Sequence, residues 1–350
     1  MLTPRKLAIL QAVIDEYILT GLPIGSRTIS KRNDMNVSSA TIRNEMADLE
    51  DDGFLVQPHT SAGRIPSDKA YRLYVNMLMH TIDLDENERN SIRKYFDVKM
   101  QEIEQLIGVT AQALSETTKL TSVVIGPQTS QLKLKRVQLV KIADTTALIV
   151  FVMDTGVIRN MTVQIPQDIT PEYLEALSQS LSKCVEDKTM QEAVNEIRNS
   201  FSLEKGENRR LLDTVIDTVS KSDSEVQERN IIFGGTENIF NHPEYRNIDK
   251  ARDFLKLLEK KDNIYNMMSK ATDMEFSIKI GAENDIDQLK DMSVVMATYK
   301  FGNSKIGSFG VIGPTRMNYG KIMSILSYVG SNISSILNYM IDDDDGLYLK

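Results

Sequence analysis

The residues of this chain that could do chemistry by their type and spacing are concentrated in the segment 36–50. When the segment is placed on a helix at 100° per residue, Ala40 and Asn44 lie on one side, flanked by Thr41 and Arg43. Asparagine can make a two-point hydrogen bond to adenine, and arginine can bind guanine or phosphate. Small or methyl-bearing side chains can touch thymine methyl groups. This pattern predicts a helix that reads bases in the major groove of DNA.

A short amphipathic helix must position these side chains. Ser38 is a suitable N-cap because its hydroxyl can accept an amide proton from the first turn. Gly53 can end the helix in the left-handed conformation. The side facing the core is predicted to consist of Ile42, Met46 and Leu49. An ordinary capped surface helix would show the same features, so the neighbouring elements decide between the two interpretations.

The preceding residues predict a helix-turn-helix arrangement. Residues 3–20 keep helical apolar spacing, and the Gly-Leu-Pro sequence at 21–23 ends this first helix. Ser26 is predicted to cap a short second helix, and a tight turn at 33–36 leads into the third helix. Two short helices joined in this way, the second with a polar outward side, are typical of DNA-binding proteins. The second helix and its end carry basic residues that could bind phosphates: Arg27, Lys31 and Arg32.

The residues after the third helix predict a wing. Phe54–Val56 is expected to form a strand, residues 57–64 a polar turn, and Ile65–Pro66 the returning strand. Gly63 allows a tight turn, and Arg64 could reach phosphate or the minor groove. The alternative is a solvated hairpin whose arginine has no role. His59 is interpreted as structural or facing phosphate, because no partner base or nucleophile lies near it in the sequence.

Charge and composition restrict where DNA could bind. The 350 residues carry a net charge of −8, yet residues 1–80 hold nine Lys/Arg and nine Asp/Glu. The excess of acids therefore lies beyond residue 80, and DNA contact is expected to be local. One cysteine and three separated histidines predict neither an internal disulfide nor a Cys/His zinc site. The single cysteine fits a reducing compartment, so a cytoplasmic protein is expected. The longest apolar run, 147–153, is too short to span a membrane.

The rest of the chain predicts an α+β domain interrupted by an insertion. Residues 132–142, 146–153 and 157–165 are predicted to form an antiparallel meander. Residues 170–273 are mainly helical in pattern, with one irregular interval at 233–238. Three strands are then expected at 274–281, 293–301 and 305–312, followed by a helix over 317–340. Strands on both sides of a helical block suggest that the block is inserted into one domain.

No catalytic chemistry stands out in the sequence. The glycines at 234–235 and at 307, 310 and 313 lack the spacing and the Lys-Ser/Thr partner of a phosphate-binding loop. No Ser-His-acid or Cys-His arrangement is suggested. We therefore predict no catalytic residue, cofactor or metal site and no enzyme activity. An enzyme with an appended winged helix remains one rival interpretation.

Several motifs resemble the HrcA family of bacterial heat-inducible transcription repressors. They are Ser-Ser-Ala-Thr-Ile-Arg-Asn-Glu-Met at 38–46 and Pro-His-Thr-Ser-Ala-Gly-Arg-Ile-Pro-Ser at 58–67, with Gly-Ser-Arg-Thr at 25–28. Downstream, Ile-Gly-Pro-Thr-Arg-Met-Asn-Tyr at 312–319 is similar to the family's C-terminal signature. Pro-Glu-Tyr at 243–245 stands where the family usually has Pro-Glu-Phe. The resemblance covers nearly the whole chain.

The resemblance implies three parts: a winged-helix DNA-binding domain at 1–80, a discontinuous GAF-like domain at 85–165 and 274–341, and an inserted, mainly helical dimerisation domain at 166–273. It implies a repressor of class I heat-shock (chaperone) operons that binds an inverted-repeat operator. The family is thought to need the GroEL chaperonin to reach or keep its active form. A homodimer follows, because an inverted repeat needs two recognition helices related by a two-fold axis.

The predicted DNA-binding residues combine these motifs with the helical pattern. Ala40, Thr41, Arg43 and Asn44 are expected to read bases. Contacts to DNA phosphates are expected from Arg27, Lys31, Arg32 and Arg64. The complete predicted set is Arg27, Lys31, Arg32, Ser38, Ser39, Ala40, Thr41, Arg43, Asn44, His59 and Arg64. The main alternative is a winged-helix regulator whose GAF-like domain senses a small molecule.

Overall fold

A computed structural model describes the chain over ten segments. These are residues 2–32, 37–59, 62–96, 103–126, 132–154, 158–201, 209–217, 231–269, 275–301 and 304–342. The predicted turn at 33–36, the tip of the predicted wing at 60–61 and most of the run of four aspartates at 342–345 lie outside the described residues. The α+β class predicted from the sequence is confirmed, because helices and antiparallel sheets alternate throughout the described part.

The N-terminal domain is a winged helix. Its elements are α1 (Pro4–Thr20), α2 (Ser26–Ser30), α3 (Ser39–Asp51), β1 (Leu55–Val56), β2 (Ile65–Pro66) and α4 (Asp68–Leu73), which continues as a π-helix over Tyr74–Leu78. Thr3 caps α1 by accepting a hydrogen bond from the Lys6 amide at 3.3 Å. Gly21 then ends α1 in the left-handed conformation, with φ of 65°. The strands β1 and β2 pair antiparallel, as predicted.

The cap of α2 differs from the prediction. Gly25 occupies the N-cap position and makes no side-chain capping bond, whereas Ser26 is the first helical residue. The Ser26 hydroxyl instead lies 3.1 Å from the hydroxyl of Ser39, at the start of α3. Ser26 therefore connects α2 to α3, because it is a residue of α2 whose hydroxyl faces Ser39.

The body of the protein contains a five-stranded antiparallel sheet with strand order β7-β3-β10-β9-β8. Its strands are β3 (Thr121–Ile125), β7 (Ile231–Gly234), β8 (Phe276–Ile280), β9 (Met292–Phe301) and β10 (Ser304–Pro314). Its helices are α5 (Glu86–Phe96), α6 (Ile103–Thr118), α10 (Ile248–Glu259), α11 (Lys261–Ser269) and α12 (Tyr319–Asp342). We call this unit the sheet domain.

Both faces of the five-stranded sheet are buried, because alternate residues of each strand point to opposite sides. Val124 and Phe309 belong to the cluster that includes the buried residues of α6 and α12. Val123 and Met296 belong to a second cluster with Phe254 of α10 and residues of α11. The sheet is therefore a central layer between two layers of helices.

A separate unit is inserted between β3 and β7. It contains the antiparallel meander β4 (Leu134–Ala143), β5 (Thr146–Met153) and β6 (Ile158–Gln164). It also contains α7 (Pro171–Val185), α8 (Met190–Ser200) and a helix over 209–217 that we label α9. Helix α7 packs on β4, the first strand of the meander. We call this unit the insert.

The sheet pairing moves the predicted domain boundaries. The meander β4–β6 was assigned to the GAF-like domain, but it forms its own sheet with the insert. Strand β7 begins at Ile231, before the predicted irregular interval at 233–238, and ends inside it at Gly234. The sequence pattern predicts neither β7 nor its partner β3 as a strand. Helices α10 and α11, assigned to the insert, belong to the sheet domain. The predicted antiparallel meander is confirmed, but the sequence pattern did not show that it forms a sheet separate from the other strands of the body.

Candidate nucleic-acid interface

Helix α3 forms through the local features that the sequence predicts. Ser38 is its N-cap, and its hydroxyl accepts a hydrogen bond from the Thr41 amide at 3.2 Å. Ile42, Met46 and Leu49 are all buried and attach the helix to the domain core. Gly53 has a φ of 77° after the C-cap, and its amide donates to the Glu50 carbonyl oxygen at 2.9 Å. The helix is therefore held in a defined rotation.

This rotation exposes the predicted base-reading side. Ala40, Arg43 and Asn44 are exposed, and Thr41 is half-buried because its hydroxyl lies 2.9 Å from that of Ser38. Ser39 is half-buried and contacts Ser26 of α2, so it helps to orient α3. The residues chosen from helical spacing are thus brought together on the solvent side of one helix.

The basic residues of α2 have unequal freedom. Arg27 and Lys31 are exposed. Arg32 is half-buried, and its Nη1 donates to the carbonyl oxygen of Ala12 in α1 at 3.5 Å. Arg27 and Lys31 could therefore bind phosphates without losing an internal contact, whereas Arg32 also connects α2 to α1.

The wing is built by close backbone contacts with the loop before α2. The amide of Ile24 donates to the Arg64 carbonyl oxygen at 2.9 Å, and the Arg64 amide donates back at 2.8 Å. A Cβ atom on Gly63 would lie 2.4 Å from the carbonyl oxygen of Ile24. The glycine is therefore required by the approach of two backbones. His59 is exposed near the tip of the wing, and its carbonyl oxygen accepts from the Ala62 amide at 2.9 Å.

Arg64, the arginine of the predicted wing, contacts the end of α3. Its Nε lies 2.7 Å from Oε2 of Glu50, near the C-terminal end of α3. The contact is an ion pair without a hydrogen bond, because the buried Nε has no hydrogen-bond partner among the described residues. Arg64 therefore attaches the wing to α3 through this ion pair. A contact between its guanidinium and phosphate or the minor groove stays a prediction.

The acids near the end of α3 are paired with cations of α1. Nζ of Lys6 lies 3.0 Å from Asp48 and 3.8 Å from Asp52. Arg5 lies 3.6 Å from Glu45. The hydrogen bond with Asp48 raises the pKa of Lys6 above its ordinary value. These pairs reduce the negative charge of the recognition helix, which would otherwise repel phosphates. The sequence showed these charges but not their pairing.

The downstream motifs of the sequence meet beside the winged helix. Arg316, in the motif at 312–319, forms a hydrogen-bonded ion pair with Glu244, in the motif at 243–245. The Arg316 guanidinium also lies 3.2 Å from the position of a Cβ on Gly21, at the end of α1. Residues 200 to 300 positions from the DNA-binding motif therefore contact its domain, which no local pattern could indicate.

Over the described segments, no group of three or more His, Cys, Asp or Glu residues is arranged to hold a metal ion. No described helix combines the length and the apolar composition that crossing a membrane requires.

Sequence and structure comparisons place the chain in a family. The profile described as the HrcA protein C-terminal domain matches residues 104–323. The heat-inducible transcription repressor HrcA of Ruminiclostridium cellulolyticum is 38% identical over 98% of this chain and 99% of its own length. That of Alkaliphilus metalliredigens is 39% identical over 96% of this chain and 98% of its own.

A solved structure described only as a hypothetical protein at 2.2 Å resolution shares the fold. It has a TM-score of 0.63 and 21% identity, and the match covers 97% of this chain and 100% of that chain. The profile match and the near full-length relatives agree with the motifs around α3, the wing and residues 312–319. This chain therefore belongs to the HrcA family of heat-inducible transcription repressors.

Proposed function

We propose that this protein represses heat-shock chaperone genes by binding an inverted-repeat operator as a homodimer, with its activity modulated by the GroEL chaperonin. The observation that carries DNA binding is the exposed side of α3, where Ala40, Arg43 and Asn44 stand next to a wing. The printed names of the relatives, heat-inducible transcription repressors, support the heat-shock role.

In the proposed complex, the N-terminal part of α3 enters the major groove. Asn44 and Arg43 are placed to bind base edges, while Ala40 and Thr41 make small apolar contacts. The N-terminus of α3 carries unpaired amides and the positive end of the helix dipole, so it suits a phosphate. The paired acids lie toward the C-terminal end of α3, where a helix entering by its N-terminus has left the groove.

Two copies are needed for the proposed operator. An inverted repeat presents the same half-site twice, related by a two-fold axis, and a homodimer presents two α3 helices with the same symmetry. The insert is our candidate for the dimerising part, as the family resemblance implies. Sedimentation of the purified protein at micromolar concentration tests this, and a stable monomer would contradict it.

Substitution of Asn44 tests base reading. Asn44→Ala should weaken binding to the inverted repeat of a chaperone-gene promoter by about 1–3 kcal/mol, because a two-point contact is lost. Binding to scrambled DNA should change little, since that binding depends on phosphates. The readout is a titration of both duplexes by fluorescence anisotropy.

Asn90→Ala supplies the matched control, because Asn90 is an exposed asparagine of α5 in the sheet domain. It should bind both duplexes like the unsubstituted protein. An equal loss of affinity for operator and scrambled DNA in Asn44→Ala would contradict base reading by Asn44.

A second candidate function is supported by a cavity in the sheet domain. It has a volume of about 300 Å³ and lies between α6 and the turn that follows β7. Its lining includes Gln112, Glu116, Lys119, Glu237 and Asn238, so a small polar molecule could be held there. The candidate is a regulator that senses such a molecule. A thermal-shift screen of polar metabolites, followed by operator titration with any ligand found, distinguishes it from chaperonin control.

A further inference from the structure

Helix α4 is attached to the end of the recognition helix. The Ser67 hydroxyl, just before α4, donates to the carbonyl oxygen of Gly53 at 2.8 Å. Nζ of Lys69 donates to the carbonyl oxygen of Asp52 at 2.8 Å and lies 4.3 Å from the centre of the Phe54 ring. The carbonyl oxygens at the C-terminal end of α3 therefore bind directly to the first turn of α4.

Another side of α4 is attached to the sheet domain. A carboxylate oxygen of Asp68 accepts from the Ala282 amide at 2.9 Å. Nη2 of Arg72 donates to the carbonyl oxygen of Ile278 in β8 at 2.6 Å, and its Nε donates to Glu283 at 2.7 Å. The guanidinium thus binds the edge strand and the turn after it, in a two-point contact with the carboxylate.

The turn after β8 is shaped for this contact. Gly281 has a φ of 51°, and a Cβ atom there would lie 2.0 Å from the Asp68 carboxylate. Glu283 also accepts from the Ile280 amide at 2.9 Å, which fixes the carboxylate that Arg72 binds. Partial burial would raise the pKa of Glu283, but the hydrogen bond from Arg72 lowers it below the ordinary value. The carboxylate therefore stays charged at neutral pH.

A buried contact lies between the two polar ones. Tyr71 of α4 is 1% exposed, and its ring centre is 6.0 Å from that of Tyr319 at the start of α12. The Tyr319 hydroxyl donates to the Thr315 carbonyl oxygen at 2.6 Å and lies 2.7 Å from the Ser293 hydroxyl of β9. Three contacts of different direction therefore hold one face of α4 on the sheet domain, so α4 cannot rotate without breaking several of them.

These contacts affect the orientation of α3 more than the stability of the fold. The Arg72 and Glu283 side chains are 32% and 36% exposed, so water screens their attraction and the pair adds little to stability. What the contacts determine is the orientation of α3, because α4 is bound to α3 at one end and to β8 along its side. In a dimer, this orientation sets the distance between two recognition helices.

We propose that α4 is a strut between α3 and β8, and that Asp68 and Arg72 are positioning residues that make the repressor selective for the spacing of the two half-sites. The inference rests on the proposed binding of an inverted repeat. Half-sites one helical turn apart are separated by about 34–36 Å, and each inserted base pair both lengthens and rotates one site. A winged helix held rigidly on the sheet domain cannot reach the displaced half-site. A loosely held winged helix can reach it, although its effective concentration at that half-site is lower.

The test compares duplexes that differ only in spacing. Full-length protein is titrated with a chaperone-promoter inverted repeat at native spacing, with the same repeat carrying two extra central base pairs, and with one isolated half-site. Arg72→Gln and Asp68→Asn are measured in parallel. Arg93→Gln, at an exposed arginine of α5, is the control for loss of a positive charge.

The unsubstituted protein and Arg93→Gln should prefer native spacing by about tenfold or more, and both strut variants should reduce that ratio at least about threefold. Half-site affinity should stay within about twofold, because α3 itself is unchanged. An unchanged spacing ratio in both variants, with folding verified by circular dichroism, overturns the proposal. Loss of half-site binding in the variants also overturns it, since α4 would then support α3 itself.

A measurement without DNA separates this inference from the proposed function. Spin labels are attached at Ala47→Cys in α3 and Asn90→Cys in α5, and Cys184→Ser removes the native thiol. The labels report the distance between the winged helix and the sheet domain. The distribution should be narrow in the parent and broad in Arg72→Gln and Asp68→Asn; a narrow one in both variants overturns the strut. If the unsubstituted protein bound no operator, the proposed function and the spacing role of α4 would fail. A broadened distribution of spin-label distances in Arg72→Gln and Asp68→Asn would still support α4 as a strut.

Discussion

Gly63 is the residue at which the wing and the rest of the winged helix come closest. Its missing Cβ would lie 2.4 Å from the Ile24 carbonyl oxygen and 2.5 Å from the carbonyl carbon. Both atoms belong to backbone and cannot rotate away. The pairing of Ile24 with Arg64, and the ion pair of Arg64 with Glu50, depend on this approach.

Gly63→Ala should therefore destabilise the winged helix. We expect a loss of about 1–3 kcal/mol, the usual cost of forcing extra atoms into a packed site. Thermal unfolding followed by circular dichroism measures it. Gly108→Ala is the control, because Gly108 lies in α6 and, beyond its chain neighbours and the local helix backbone, no atom of the described residues lies within 4 Å of an added Cβ. That control should be neutral or stabilising, and an equally neutral Gly63→Ala would contradict the close approach.

His242 links stability to pH at the residue scale. Burial lowers its pKa below the ordinary value, Glu244 acts in the opposite direction, and Arg316 lowers it further. Its Nε2 is buried without a hydrogen-bond partner among the described residues. The unfolded chain therefore takes up a proton near the ordinary histidine pKa of about 6.5, before the folded chain does.

Stability should consequently fall as the pH drops below about 6.5, down to the lowered pKa of folded His242. His242→Asn should flatten the dependence of the unfolding temperature on pH across this window. His80→Gln, at an exposed histidine, should leave the dependence as in the parent. If His242→Asn and the parent had the same pH slope, protonation of His242 would not limit stability.

At the scale of elements, α3 and the edge strand β4 satisfy their free backbone groups in two different ways. Helix α3 is completed by its own sequence, through the Ser38 cap and Gly53. The edge of β4 is completed by a distant helix. The Leu139 amide donates to the Ser178 hydroxyl at 2.8 Å, and the Val137 amide to that of Ser182 at 3.1 Å. Serines of α7 thus cover edge amides that could pair with another strand.

Ser178→Ala should destabilise the insert by about 1–3 kcal/mol, because the buried Leu139 amide loses its acceptor. Ser180→Ala is the matched control, since Ser180 lies on the same helix but bonds only to the Ala176 carbonyl oxygen at an exposed position. It should change stability little. Hydrogen exchange of the Leu139 amide measures the difference, and equal protection in both variants would show that Ser178 does not support the edge.

At the scale of the whole molecule, the response to heat needs an active state that is easily lost. Eight of the 17 methionines are buried in the described core, and their flexible, polarisable side chains specify packing loosely. If the folded state is marginal, a loss of about 1–2 kcal/mol lowers the active fraction several-fold. This is our hypothesis for the proposed heat response.

Operator affinity of the purified repressor should therefore fall after warming to a heat-shock temperature and recover when GroEL and ATP are added. The measurement is an operator titration before and after warming, with and without the chaperonin. Bovine serum albumin at the same mass concentration controls for crowding. Repressor that keeps full affinity after warming without chaperonin would contradict the hypothesis.

The sequence determined the elements whose signals are local. The apolar spacing, cap and terminal glycine of α3 lie within 16 residues, and β5 alternates half-buried and buried residues over its own length. The exposed positions of Ala40, Arg43 and Asn44 follow from the same helical geometry. Such features need no knowledge of distant contacts, because hydrogen bonds and side-chain directions within one element repeat with a fixed period.

Only the tertiary structure decided the partners of these elements. It paired Arg64 with Glu50, joined β3 and β7 into one sheet across the insert, and placed Arg72 on β8. The physical reason is that charges and strand edges are satisfied by whichever group lies nearest in space. That neighbour depends on the path of the whole chain, whereas the shape of α3 depends only on the residues within it.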